Sequence, residues 1–348
     1  MHSLEFNLKQ SEIITFRNQP LKQYCTFGIG GLADYLIIAE NERHIIDAIL
    51  LCQKFEIPFK LLGLGSNVII SDEGFRGAII INQSRSWKIL DEAPDLAKSK
   101  KTIARFASHG SNFYTMEGLD YTDELAPPVI VRVSSGARVI PLMKSLYRKN
   151  ITGLQWFSGI PATVGGAIYM NMHGAKAFFG DLVYSAILFD GSETFCVDQN
   201  WFAFDYDWSN LHETPAIILS ADLVLRKGNP GQAQRLSRDW ARRKALQPQK
   251  SAGCIFQNLS EEDRIRLDLP TPSIGYLIDK VLNLKGLQKG DAIISTAHAA
   301  FIENIGSARA KDVYFLYRTI EETAKEKLDL QLIPEVEFIG EFNSCQNL

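Results

Sequence analysis

Pro58-Phe-Lys-Leu-Leu-Gly63-Leu-Gly-Ser-Asn67-Val-Ile-Ile70 is the stretch that decides the fold. Two short apolar runs flank Gly63–Asn67, so the glycines fall between strands. There they permit positive φ and let backbone N–H groups approach an anion closely. Standing alone, Gly-x-Gly between strands is usually a tight turn. It is not a Rossmann fingerprint, because no Gly-x-Gly-x-x-Gly opens a helix and no Walker lysine follows. Upstream, Asn41 is placed to cap a helix whose Ile45, Ile46, Ile49 and Cys52 share one face. Downstream, the turn Asp72–Gly77 leads into Ala78-Ile-Ile-Ile81. Short strands broken by glycines around one helix predict a small α+β domain over roughly residues 20–83.

A second β-rich region follows, with strand character at Val129–Val133, Ala186–Phe189, Thr194–Val197 and Ala216–Leu225, and a helix at Val139–Tyr147. Within it, Ile160-Pro-Ala-Thr-Val-Gly-Gly166 repeats the glycine theme. Two such elements in separate β-rich regions suggest one long ligand, such as a dinucleotide, gripped from both sides; two unrelated turns are the alternative. Lys227–Gly231 reads as a linker, followed by a basic helix over Ala233–Leu246 and an amphipathic one over Asp312–Lys325. Residues 91–127 read as an excursion, with some strand character at Thr102–Ala107 and no motif.

The 37 Lys plus Arg against 40 Asp plus Glu leave a net charge of -3, which argues against a general nucleic-acid binder. No apolar run approaches the roughly 18 residues of a membrane span, and the first residues lack the order of a signal peptide. Five cysteines, widely spaced and without a CxxC pair, make a disulfide framework or thiolate metal site improbable. A reducing cytoplasm fits best.

Three sets of motifs carry a resemblance. They are Tyr24-Cys-Thr-Phe-Gly-Ile-Gly-Gly31; Gly63–Asn67 with Gly74-Phe-Arg-Gly77; and Gly159-Ile-Pro-Ala-Thr-Val-Gly-Gly166 with Met170-Asn171. Ser251-Ala-Gly-Cys-Ile-Phe-Gln-Asn258, Tyr276–Asp279, Ser295–His298 and Pro334-Glu-Val-Glu-Phe-Ile-Gly340 continue it. In this order the chain resembles the MurB family of flavin-dependent UDP-N-acetylenolpyruvoylglucosamine reductases over about residues 20–341. The resemblance implies an α+β, two-lobed FAD-binding fold of the vanillyl-alcohol-oxidase (PCMH) type plus a C-terminal substrate domain. The expected division is 1–85 for the first lobe, 86–230 for the second with its excursion, and 231–348 for the C-terminal domain.

It further implies noncovalent FAD held by Gly63, Leu64, Gly65, Ser66 and Asn67 and by Ile160, Pro161, Thr163, Val164, Gly165 and Gly166. NADPH would be the co-substrate and an enolpyruvyl UDP-sugar the substrate, with no partner protein and no metal. Hydride addition beside a carboxylate builds negative charge and leaves a carbanion that needs a positioned acid. The family's acid, usually serine, corresponds to Cys254, whose thiol is a stronger acid than a hydroxyl. Glu335 matches an assisting glutamate, Asn258 and Tyr206 match substrate-binding positions, and Lys244 or Arg243 stands near the expected diphosphate.

Two departures bear on the reaction. Phe204-Asp-Tyr-Asp-Trp-Ser209 matches Phe-Gly-Tyr-Arg-x-Ser, putting Asp207 where an arginine would face the substrate carboxylate. Glu337 stands where a second arginine is expected. Lys176 or His173, in the altered loop Asn171–Lys176, is a candidate replacement cation. The alternative reading is therefore a MurB-fold flavoprotein with a changed substrate or without reductase activity.

Overall fold

The computed structural model describes residues 3–90, 121–175 and 177–342. The strand considered at Thr102–Ala107, and Lys176, lie outside them. The first lobe runs α1 (Leu4–Gln10), β1 (Ile14–Pro20), β2 (Leu32–Ala39), α2 (Glu42–Lys54), β3 (Phe59–Leu62), β4 (Val68–Ile70) and β5 (Phe75–Asn82). Asn41 caps α2 as expected, its side-chain oxygen accepting from His44 N at 2.9 Å. The sheet order is β1-β2-β5-β3, with β5 parallel to both of its neighbours. That arrangement accounts for the continuous apolar run Ala78–Ile81, since a central parallel strand is buried on both faces. Helix α1 and strand β1 precede the small α+β region read at about residues 20–83 and lie within the stretch 1–85. Leu4, Leu8, Ile45 and Ile49 join Ile37 and Ile80 in one core.

The second lobe comprises β6 (Trp87–Leu90), β7 (Pro128–Ser134), α3 (Val139–Tyr147), α4 (Val164–Tyr169), the hairpin β8 (His173–Gly174) and β9 (Ala177–Phe178), β10 (Val183–Phe189), β11 (Thr194–Asp198) and β12 (Ile217–Arg226). Its antiparallel sheet has the order β11-β10-β12-β7-β6. Arg132 forks onto Asp222 across β7 and β12 at 2.7 and 2.8 Å. The expected linker at Lys227–Gly231 is instead a helix start. Asn229 accepts from the backbone N of Gly231 and Gln232, and Pro230 occupies the first turn of α5 (Pro230–Lys244), where its missing N–H costs nothing. Leu236 and Trp240 of α5 pack with Trp156, and Ser237 meets the Tyr147 hydroxyl at 2.6 Å. The helix thus lies against the second lobe.

The C-terminal region holds α6 (Glu261–Arg266), α7 (Ile274–Tyr276), a three-stranded sheet of β13 (Gln288–Lys289), β14 (Ala292–Ile294) and β15 (Ile302–Asn304), then α8 (Ala310–Leu328) and β16 (Glu337–Ile339). This is the expected α+β architecture of two lobes and a C-terminal domain. Strand β16 returns to the first lobe and pairs in parallel with β4, Glu337 opposite Val68 and Ile339 opposite Ile70. The first turn of α8 has no cap of its own. Asp72 supplies one from the first lobe, accepting from Ala310 N and Lys311 N at 2.9 and 3.0 Å.

Phe256 is fully buried and stacks on Tyr317 of α8 with centroids 4.8 Å apart. Phe256→Ala is expected to destabilise the C-terminal domain by about 3–5 kcal/mol, measured by urea unfolding followed by circular dichroism. A loss below about 1 kcal/mol would mean the ring is not a core element.

Candidate active site

The two glycine-rich segments face one another. Gly63 lies so close to Thr163 that a Cβ on it would sit 2.4 Å from Thr163 Oγ1, well inside contact distance. Gly159 has φ +83°, and a Cβ there would meet Lys244 Cβ at 3.0 Å. Glycine at these positions lets the first loop, the second loop and the end of α5 converge. Thr163 caps α4, accepting from Gly166 N at 3.2 Å.

Between them opens a cleft of about 720 Å³, within the range of small-molecule sites. Its lining includes Gly63, Leu64, Gly65, Ser66 and Asn67 from one side and Ile160, Pro161, Thr163, Gly165 and Gly166 from the other. Val164 is not among these. Its side chain is fully buried in the second-lobe core, and its N–H goes to Ala137 O at 2.9 Å. A pocket of about 370 Å³ shares Thr26, Gly63, Leu64 and Asn82 with the cleft and is lined by Arg85 and Arg138. An elongated ligand carrying a diphosphate fits this shape, with glycine walls for close approach and two guanidinium groups for the charge.

The far wall is built from the C-terminal domain. The segment 254–257 is sandwiched between two others. Ile255 N donates to Ala300 O at 2.9 Å on one side; on the other, Gln257 N donates to Ile333 O at 2.9 Å and Glu335 N to Ile255 O at 3.0 Å. This pairing brings Cys254 and Glu335, some eighty residues apart in sequence, onto the same cleft wall, with Lys244 from the end of α5 beside them. Asn67 ties the flanking loop to this wall, its amide donating to Glu335 O at 2.9 Å.

Electrostatics in the cluster follow from burial. Desolvation, then the nearby Glu335, pushes the Cys254 thiol well above its usual range, with Lys244 opposing and Asp207 adding to the rise. Desolvation and Asp207 raise Glu335 well above the carboxylate range, and again Lys244 opposes. Burial pulls Lys244 down, while Cys254, Glu335 and Asp207 favour its charge. His298 is pushed down to about 4 by burial and by Lys244. At neutral pH the wall therefore carries a protonated thiol and a carboxyl biased towards its acid form.

Other expected residues fall differently. Asn258 and Tyr206 are bonded to each other, the Asn258 amide donating to the Tyr206 hydroxyl at 3.0 Å, and neither is among the cleft-lining residues. Asn258 Oδ1 is engaged by Ile274 N at 3.1 Å. These two support the wall, and the expectation of direct substrate contact by them is not matched by the lining. Arg243 is also absent from the lining, which leaves Lys244 as the cation from α5. Asp207 does line the cleft, buried, with Oδ1 2.8 Å from His173 Nδ1. Glu337 also lines it, but Lys60 on β3 pairs with it at 2.6 Å. Sequence reading missed Lys60, because no motif joins positions so far apart. Among the described residues there is no cluster able to hold a metal ion, and no helix is long and apolar enough to cross a membrane.

Glu335 yields a stability prediction. An acid raised in the folded state binds a proton there that the unfolded chain has already lost. Its contribution is complete below the unfolded pKa of about 4.3 and is lost as pH rises towards the folded value. Glu335→Gln lacks that loss, so it should melt about 2–4 °C higher than the parent at neutral pH, with the gap closing towards about pH 4. A lower melting temperature across the whole range would show that the carboxyl is held by favourable contacts instead.

Comparison with known proteins agrees with the geometry. Residues 246–339, beginning just after α5, match the family model described as UDP-N-acetylenolpyruvoylglucosamine reductase, C-terminal domain. The UDP-N-acetylenolpyruvoylglucosamine reductase of Bacillus subtilis (strain 168) is 32% identical over 340 residues, covering 96% of this chain and 97% of that protein. The same-named protein of Caldicellulosiruptor saccharolyticus is 30% identical over 346 residues, covering 98% and 96%. Among solved structures, the UDP-N-acetylenolpyruvylglucosamine reductase (MurB) of Thermus caldophilus is similar with a TM-score of 0.66 and 28% identity, over 94% of this chain and 99% of that one. Similarity of this extent over nearly the whole of both chains shows that the protein belongs to the UDP-N-acetylenolpyruvoylglucosamine reductase (MurB) family.

Proposed function

We propose that the protein is an FAD-dependent, NADPH-consuming oxidoreductase that reduces UDP-N-acetylenolpyruvoylglucosamine to UDP-N-acetylmuramate in peptidoglycan synthesis. The observation that carries this reading is the convergence of Cys254, Glu335 and Lys244 on one wall of a cleft whose other wall is the paired glycine loops. The NADPH requirement, the cysteines free among the described residues and the lack of a membrane-spanning helix among them favour the cytoplasm.

Gly63–Asn67 and the cleft-facing residues of 160–166 would hold FAD, with Arg85 and Arg138 near its diphosphate. The site so formed would hold FAD, which, once reduced by NADPH, would supply a hydride to C3 of the enolpyruvyl group. The chain's own task is to finish the reaction at C2. Cys254 Sγ keeps its proton until a stronger base develops, because burial and Glu335 disfavour the free thiolate. Protonation of C2 leaves a thiolate, and the Lys244 ammonium is the charge that stabilises it. Glu335, biased towards its neutral form, can return a proton to the thiolate. Lys60 cancels the charge of Glu337, so that departure from the family pattern does not burden the site.

The test is a visible spectrum of the purified protein under anaerobic conditions. Bleaching of the oxidised-flavin band at about 450 nm on adding NADPH, then recovery on adding the enolpyruvyl UDP-sugar, is the expected result. Bleaching without recovery would contradict the substrate and favour a MurB-fold flavoprotein acting on another acceptor. A protein that stays colourless when supplied with FAD would contradict the flavoenzyme reading altogether.

A further inference from the structure

The cleft contains a buried carboxylate with no role in the scheme above. Asp207 Oδ1 meets His173 Nδ1 at 2.8 Å, while Oδ2 is buried without a hydrogen-bond partner among the described residues. The Asp207 side chain is 5% exposed and that of His173 is 42% exposed, so the pair joins a buried acid to a ring that faces the cleft. Asp207 adopts φ +48°, a left-handed conformation that aspartate tolerates better than most residues. Its neighbour Tyr206 stacks on the His173 ring with centroids 5.3 Å apart. The Tyr206 hydroxyl is held by Asn258, four residues beyond Cys254. The imidazole is thus clamped between a carboxylate and an aromatic face that leads back to the candidate proton donor.

A substrate carboxylate favours a basic side chain in this cleft, and few of the lining residues are basic. No arginine is among the described residues lining it. Lys60 is committed to Glu337 at 2.6 Å, and His212 Nδ1 lies 2.9 Å from Ser209 O. Lys244 is beside Cys254 and Glu335, where its role in the scheme above is to stabilise the thiolate.

We propose that His173, oriented by Asp207, receives the carboxylate of the sugar-nucleotide substrate in place of the arginine found in related proteins. This inference rests on the reductase reading above and adds a substrate-binding residue to it. His173 is the side chain that reaches the buried Asp207 carboxylate, at 2.8 Å, and its ring also lines the cleft. With Nδ1 donating to Asp207, Nε2 can donate to a second carboxylate only when the ring carries both protons. Asp207 is a positioning residue: it fixes the orientation of the ring. The ring offers one directed N–H and not an arginine's fork. Its grip on a carboxylate is correspondingly modest. The charged or titratable groups facing the pair are Tyr206 on its stacked side and, around Asp207, Glu335, Cys254 and Lys244.

The test compares two ligands on the FAD-loaded protein by calorimetry: UDP-N-acetylmuramate, which carries the carboxylate, and UDP-N-acetylglucosamine, which lacks it. The parent should prefer the first by at least about tenfold. His173→Gln should bind both ligands alike while keeping the parent's affinity for UDP-N-acetylglucosamine. His173→Arg should keep the preference, and a retained preference cannot come from a misfolded chain. An unchanged preference in His173→Gln would overturn the inference and leave the reductase reading standing. A parent protein that binds neither sugar nucleotide would overturn the reductase reading, and this inference with it.

Discussion

Everything at the cleft depends on the seam where β4 and β16 run in parallel and the Asn67 amide reaches Glu335 O. That seam joins the first lobe to the last strand of the chain. It fixes the glycine loop against the wall that carries Cys254 and Glu335. The Asp72 cap on α8 and the bond from Thr26 Oγ1 to Ser251 O at 2.8 Å reinforce the same junction. Each bond is modest alone, about 1 kcal/mol net. Together they tie the two halves of the site at several places, so that neither half can shift independently.

The chemistry of the wall is a competition between burial and charge. Desolvation drives Cys254 and Glu335 towards their protonated forms, and the single ammonium of Lys244 pulls both the other way. The outcome is a thiol that holds its proton yet sits beside the charge needed once the proton leaves. This arrangement sacrifices stability for function: a buried carboxyl near Asp207 is a cost that a glutamine would remove.

Much of this was legible in the sequence, for identifiable reasons. The glycine loops, the Asn41 cap and the Ala78–Ile81 run are local signals, and local signals survive folding. Cys254 and Glu335, which line the cleft, stand out in the sequence because each sits inside a motif. Features that depend on distant partners were not legible. Glu337 read as a handicap because Lys60, on a different strand, could not be seen to neutralise it. Val164 was grouped with the cofactor residues because it lies in the glycine segment, but the capped turn of α4 points its side chain into the core. Asp207 read as a misplaced charge, whereas the fold pairs it with His173, 34 residues away in sequence. Lys227–Gly231 looked like a linker because Gly, Asn and Pro mark loops and helix starts alike.

The central claim is that Cys254 delivers the proton. The direct test is rapid-mixing kinetics on Cys254→Ala, with the two halves of the reaction followed separately. The account predicts that reduction by NADPH proceeds at the parent rate, while reoxidation by the enolpyruvyl UDP-sugar slows by about 10²–10⁴-fold. Reoxidation at the parent rate would contradict the assignment, and equal slowing of both halves would show that the thiol supports the structure of the cleft instead.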